Sequence, residues 1–290
     1  MTAPDRRRTP WRPDLAAAHL KGQLAAERYV DGVPYQVCAS RVGLRAEPDT
    51  QCGIDTEVLF GEQVTVYDRS ESGWVWGQSA VDDYVGWAPA RFLSMKVSQP
   101  THKISIPRTF VYPDADLKHP SDLCLSLQAL VTVRDIVKVR DLDYAVLADG
   151  RAVIADHLRP VSEYADDFIS VARLFINTPY LWGGRTSLGL DCSALVQLAL
   201  AATGVSVPRD SDMQAAELGE LLPAPWRLEN TSCGDLVFWT GHVGIVTDGA
   251  HLLHASGHHM MVVEEPLEPA VARIAATGSE ITAIRRVHSG

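Results

Sequence analysis

Residues 177–204 read NTPYLWGGRTSLGLDCSALVQLALAATG, a loop that stops abruptly at a helix with a cysteine at the joint. The loop half holds Pro179, the flexible pair Gly183 and Gly184, and Gly189. The helix half, residues 193–203, is apolar on almost every face (Ala194, Leu195, Val196, Leu198, Ala199, Leu200, Ala201, Ala202). A helix without a polar face belongs in a core. Gly204 stands where a left-handed C-terminal cap is wanted. Asp191 fits the N-cap, which puts Cys192 in the first turn. There the unpaired amides and the positive end of the helix dipole favour a thiolate, the nucleophilic form. A lone cysteine at a helix start is more often a small buried hydrophobe, so the assignment turns on its partners.

His242 follows Cys192 by fifty residues, in the run GDLVFWTGHVGIVTDGAHLLHASGHHMMVVEE that begins at Gly234. These are short strands broken by glycines, and Asp248-Gly249 is a strong hairpin signal. A two-residue loop would pair His242 with Ala255 and leave His254 on the opposite face. A three-residue loop, Thr247-Asp248-Gly249 with Gly249 left-handed, pairs Val246 with Ala250 and hence His242 with His254. Directly opposite residues have Cβ atoms about 4.5–5.5 Å apart, within reach of an imidazole–imidazole hydrogen bond. We adopt the three-residue loop because it lets one histidine take the thiol proton while the other fixes its tautomer and orientation.

The string PYLWGG, then DCS-AL, GD-LVF, HVGIV and LLHASG resembles the NlpC-type papain-like cell-wall cysteine peptidases. In that family Cys, His and a third polar residue, often His, occur in this chain order, and the matching residues are Cys192, His242 and His254. The resemblance covers about residues 161–290. The subgroup most similar is the γ-D-glutamyl-L-diamino-acid endopeptidases that carry bacterial SH3-like domains ahead of the peptidase. The fold class implied is an α+β papain-like catalytic domain preceded by two small all-β SH3-like barrels.

A chain of 290 residues accommodates two or three domains. Its 46% hydrophobic and 21% charged content is that of an ordinary globular protein. The net charge of −10 argues against nucleic acid as a partner. No apolar run approaches the roughly 18 residues of a membrane span, so no membrane partner is expected. The start, MTAPDRRRTPWRPD, has a basic patch with no apolar stretch behind it, unlike a secretory signal. Cys38, Cys52, Cys124, Cys192 and Cys233 are odd in number and lack a Cys-x-x-Cys pair, which reads as reduced thiols and a cytoplasmic location.

In chain order, residues 1–35 are expected to hold a loose tail and then a helix over 16–29, opened by Pro13-Asp14 with Leu15, Leu20 and Leu24 as its apolar positions. Residues 36–97 resemble one SH3-like barrel through GLRAEPDT, VLFGEQVTVYD, SGWVWGQS and YVGWAPARFL. Residues 98–160 read as a divergent second copy: AEPD at 46–49 recurs as VYPD at 111–114, QVTV at 63–66 as LVTV at 130–133, and FL at 92–93 as HL at 157–158. In the peptidase domain, residues 161–290, Ser162 is expected to cap a helix with apolar positions from 165 to 176. Ser211 with Gln214 resembles a capping box and Gly219 a helix stop. Helices first and strands after make the domain α+β.

The resemblance also implies a substrate: the bond between γ-D-glutamate and a diamino acid, meso-diaminopimelate, in murein peptides. Its subgroup needs a free N-terminal L-alanine, with amine-binding positions that match Asp210, Ser211, Glu47 and Tyr84. Tyr180, Trp182, Asp191 and Ser193 match subsite positions beside the nucleophile. The first barrel would then form part of the active-site wall, and the role would be peptidoglycan recycling. A carboxylate can recognise an ammonium by charge-assisted hydrogen bonds and so reject peptides whose amine is blocked. The competing readings are a plain helix cap at Asp210 or Ser211, a solvated turn at Glu47 and barrel packing at Tyr84. No cofactor or metal is expected, because His251, His254, His258, His259 and Cys233 lack metal-ligand spacing. The alternative function is a non-catalytic peptidoglycan-binding protein with a decayed peptidase domain. A permuted acyltransferase fits less well, since its histidine precedes its cysteine.

Overall fold

The run Gln63–Arg69 alternates, burying Val64 and Val66 while Gln63 and Thr65 stay partly open, which is the period of a half-buried strand. A computed structural model describes residues 4–287, and the chain divides into two units after Glu163. In the first unit, Gln63–Arg69 is the centre of an antiparallel sheet in the order Val85–Pro89, Trp74–Ser79, Gln63–Arg69, Val33–Val37, Leu93–Ser94. Arg41–Leu44 and Thr56–Leu59 form a separate antiparallel pair. Tyr35, Val42, Val58, Val75 and Tyr84 are among the side chains of the shared core. Tyr84, matched above to a substrate position, therefore contributes to barrel packing, and Glu47 is exposed in the turn after Arg41–Leu44.

The order of elements then repeats. Arg108–Val111, Leu123–Ser126, Leu130–Val131 and Ala152–Ile154 each begin 67 residues after Arg41–Leu44, Thr56–Leu59, Gln63–Arg69 and Val85–Pro89. A single 3-10 turn precedes the last strand of each copy, Ala90–Phe92 before Leu93–Ser94 and Ala155–His157 before Leu158–Pro160. The second copy is divided into two three-stranded sheets and a strand pair. Its core is built from Ile104, Val111, Leu125, Tyr144 and Val153, all buried.

The helix expected over 16–29 does not form. Leu15–Ala17 is a strand paired in parallel with Arg28–Val30, and only the short 3-10 turn Ala18–Leu20 lies between them. Three consecutive side chains, Leu15, Ala16 and Ala17, are fully buried. A helix would bury one face and expose the rest. Arg12 stacks over Trp76 and Trp87 and reaches Asp68, which holds this extended segment on the sheet centred on Gln63–Arg69.

In the second unit, α1 spans Phe168–Arg173 and is capped by Asp167, not Ser162. The Asp167 carboxylate accepts from the amides of Ile169 and Ser170. Upstream, the amide of Ala165 bonds to the carbonyl of Ala202 at 2.8 Å, which keeps that segment out of the helix. α2, Cys192–Ala202, starts where the sequence places it, with Asp191 as cap and nearly every side chain buried. Gly204 is left-handed at φ +89°, and the Val205 amide returns to the Leu200 carbonyl, the expected C-terminal closure. α3, Ser211–Glu217, has Asp210 at its N-cap position. The expected Ser211–Gln214 capping box is absent, because the buried Gln214 amide donates instead to the carbonyls of Ser193 and Pro208.

A six-stranded antiparallel sheet completes this unit, in the order Glu220–Leu221, Ile281–Arg286, Asp235–Trp239, His242–Val246, His251–Ser256, Met261–Pro266. α2 packs on His242–Val246 and His251–Ser256. A helix the sequence reading missed, α4 at Leu267–Ala275, packs on His251–Ser256 and Met261–Pro266. Leu267, Ala270, Val271 and Ile274 join Val237, Trp239, Val246 and Leu252 in one cluster. Their i, i+3, i+4, i+7 spacing between Pro266 and Gly278 was the available signal. Among the described residues, no helix is long and apolar enough to cross a membrane.

Candidate active site

Cys192 opens α2 with 5% of its surface exposed, and its Sγ lies 4.0 Å from the carbonyl oxygen of Gly241, the residue before His242. The tight turn at Gly241 (φ +74°) between Trp239 and His242 brings the histidine to the nucleophile end of the sheet. Beneath the sulfur lies a buried polar network. Asp191 accepts from the amides of Gly183 and Ala194, from the Ser193 hydroxyl and from Arg209 at 2.7 and 2.9 Å. Arg209 also donates to the Ser193 hydroxyl and is 1% exposed. The loop 177–190 is thus tied to the start of α2 by one carboxylate and one guanidinium. Sequence reasoning placed Asp191 and missed Arg209.

The two histidines meet, by a different register from the one expected. Val246 pairs with Leu252 and Ile245 with Leu253, so His254 lies opposite Gly244 and diagonal to His242. The Asp248 carboxylate accepts from the amides of Ala250 and His251, which lengthens the loop so that the Thr247 amide closes on the His251 carbonyl. Gly249 is left-handed as expected, at φ +81°. The slip is two residues, so both imidazoles keep the same face. Nε2 of His242 and Nδ1 of His254 are 2.8 Å apart, and the Trp239 ring covers His242 at a centroid distance of 5.6 Å. Behind His254 stands Glu265, whose Oε1 is 2.9 Å from His254 Nε2 and which takes two hydrogen bonds from Arg273. The sequence reading did not single out Glu265. Its position in strand alternation near the end of an acidic pair was too weak a signal.

Burial works against the thiolate expected at the start of the helix. Burial pushes the Cys192 thiol up to about 12, and the Asp191 charge adds to the rise. The amides of Val243 and Ser193 and the charge of Arg209 oppose it without overcoming it. Burial takes His242 down to about 3, with the neighbouring His254 and Arg273 acting in the same direction. His254 is lowered by burial against the pull of Glu265. These directions favour a thiol and neutral imidazoles, an arrangement in which proton transfer accompanies attack.

Of the other expected residues, Tyr180 is partly buried, and burial followed by the charges of Cys192 and Asp191 raises its phenol pKa. Trp182 is 69% exposed on the same loop. Asp210 and Ser211 are partly buried at the start of α3, and the Asp210 side chain does not cap that helix. Glu47 and Tyr84 belong to the other unit.

The profile of the NlpC/P60 family matches residues 177–274, and that of the bacterial dipeptidyl-peptidase SH3 domain matches residues 44–93. The γ-D-glutamyl-L-lysine dipeptidyl-peptidase of Bacillus subtilis (strain 168) is 31% identical over 227 residues, covering 70% of this chain and 72% of that protein. The dipeptidyl-peptidase 6 of Lysinibacillus sphaericus is 24% identical over 246 residues, 76% of this chain and 86% of that one. The crystal structure of an NlpC/P60 family protein from Bacillus cereus ATCC 10987 shares the fold, with a TM-score of 0.71 at 20% identity over 87% of this chain and 99% of that chain. Similarity of this extent, joined to a cysteine at a helix start and a hydrogen-bonded histidine pair, means that the chain belongs to the NlpC/P60 family of cysteine peptidases.

Proposed function

We propose that the enzyme hydrolyses the amide bond between γ-D-glutamate and meso-diaminopimelate in murein peptides with a free N-terminal L-alanine, in peptidoglycan recycling. The observation that carries this reading is a histidine pair joined at 2.8 Å on the sheet that α2 packs against, with the Cys192 thiol 4.0 Å from the carbonyl of Gly241, the residue before His242. The names of the relatives support the γ-D-glutamyl bond class. In the proposed reaction the Cys192 sulfur attacks the γ-carbonyl while His242 takes the thiol proton. The backbone amide of Cys192 faces the developing oxyanion. His242 then protonates the leaving amine, and a water activated by His242 releases the acyl group from the thioester.

Asp210 and Ser211, partly buried at the start of α3, would bind the substrate ammonium through charge-assisted hydrogen bonds. Tyr180 and Trp182 would line the subsites from the loop. Asp191 and Ser193 turn their polar atoms inward, so their contribution is the shape of that loop. A need for a free amine fits released fragments better than intact wall, which is why recycling is the role proposed.

The test is kcat/KM for L-Ala-γ-D-Glu-meso-diaminopimelate, its N-acetylated form and the L-lysine analogue. Expected are cleavage at the γ-glutamyl bond, a loss of about 10²-fold or more on acetylation, and no turnover by the folded Cys192→Ala variant. Equal rates with and without acetylation would remove the amine site. Faster cleavage of the lysine peptide would overturn the choice of diamino acid, and turnover by Cys192→Ala would overturn the nucleophile.

A further inference from the structure

The proposed reaction uses one nitrogen of His242, and which nitrogen it is depends on groups it leaves unmentioned. Glu265, in the strand Met261–Pro266, approaches His254 Nε2 at 2.9 Å. Arg273, on α4, donates to both Glu265 oxygens at 2.8 and 2.5 Å, and His259 Nε2 lies 3.5 Å from Glu265 Oε2. Burial raises the Glu265 carboxyl, but the hydrogen bonds from Arg273 and His254 outweigh it and hold it at about 2. Near neutral pH it is therefore a carboxylate, and a carboxylate only accepts.

The proton positions follow in sequence. His254 Nε2 must carry a hydrogen to satisfy Glu265. A neutral imidazole has one donor and one acceptor, so His254 Nδ1 is the acceptor. The 2.8 Å contact with His242 Nε2 then needs the hydrogen on His242 Nε2. That leaves the Nδ1 lone pair of His242 as the free base.

We propose that Glu265, clamped by Arg273, is a positioning residue that fixes the tautomers of His254 and His242 and thereby makes Nδ1 of His242 the atom that receives the Cys192 proton. The proposal rests on the reading of Cys192 as nucleophile and His242 as base. In the reverse tautomer His242 would present Nδ1–H to the thiol and could not accept. When His242 becomes positive during attack, the charge is shared through His254 with Glu265, which no rearrangement need bring into place.

A plain brace between the last strand and α4 would involve the same Glu265–Arg273 pair, so the test must separate bracing from positioning. In the full chain with ¹⁵N-labelled histidine, the ring nitrogens of His254 and His242 are expected to report protonated Nε2 and bare Nδ1 near pH 7. Glu265→Gln, whose amide can also donate, should mix the His254 tautomers and lower kcat by about 10²-fold with KM little changed. Glu265→Asp should keep the tautomer and recover part of kcat. Arg273→Gln should lower Tm yet keep a single His254 tautomer. A proton on His254 Nδ1 in the unaltered enzyme would overturn the proposal, and that spectrum decides the matter even where Glu265→Gln fails to fold. So would a folded Glu265→Gln with unchanged tautomers and kcat. Failure of the underlying reading looks different: Cys192→Ala would retain turnover while the histidine spectrum stayed as expected.

Discussion

Arg209 carries little surface and much structure. It is a fully buried cation paired with the Asp191 carboxylate, eighteen positions earlier in the chain. A buried pair of this kind adds little net stability over an apolar replacement, but removing one member leaves a desolvated charge. Arg209→Met should therefore destabilise the peptidase unit by about 3–5 kcal/mol, read from denaturant midpoints. Adding Asp191→Asn should recover much of the loss, since the buried Asp191 charge that Arg209 compensates is then gone. A single variant that costs under about 1 kcal/mol would contradict the assigned role. The single variant should also drive the Cys192 thiol further up, because Arg209 is one of the groups that lower it. None of this was visible in VPRDSD, where an arginine between Pro208 and Asp210 reads as a solvated turn residue. The place of Cys192 at the start of α2 was visible, because an apolar helix, a cap residue and a C-terminal glycine are all local signals.

Strand register is where local signals stop. Asp248-Gly249 marked the turn in HVGIVTDGAHLLHAS, but alternation left two registers open, and chemistry chose the one that puts His242 and His254 on one face. The loop length depended on an Asp248 side chain that competes for two backbone amides, and nothing in residue periodicity reports that competition. The error was even in number, so the site survived it. The opposite outcome befell residues 16–29, where leucine spacing suggested a helix and burial against the barrel tryptophans imposed a strand. The observed register makes Gly244 a requirement of the site. A Cβ there would stand 2.7 Å from Leu252 Cδ1 and 3.3 Å from His254 Cβ, and Leu252 is fully buried. Gly244→Ala should cost about 1–3 kcal/mol from overpacking and displace the His254 ring. We expect kcat to fall about tenfold or more, a misplacement effect, with the far-ultraviolet circular dichroism unchanged. Native kcat in a stable Gly244→Ala variant would mean that the diagonal pairing is not what orients the rings.

At the scale of the whole chain the two units hold differently shifted histidines, and acid should separate them. In residues 164–290 both His242 and His254 have lowered pKa values, first by burial. Unfolding returns them to about 6.5. Between there and about 3 for His242, the unfolded state binds protons that the native state refuses. Stability therefore falls as pH drops below about 6.5, by up to about 1.4 kcal/mol per pH unit for each group. Glu265 joins only below its ordinary value of 4.5, since its own pKa is held near 2. In the leading unit His157 is lowered by burial, but exposed His119 is raised by its bond to Asp114 and responds with the opposite sign. Calorimetry of the intact protein at pH 7 and pH 5 should then show the peptidase transition moving down further than the other. The assignment is checked with a His242→Gln, His254→Gln double variant, in which the stronger of the two pH responses should flatten. Equal shifts of both transitions, or a response unaltered in that variant, would mean that the histidine pair is not held neutral by its surroundings, and with it would go the description of the resting site as thiol and imidazole.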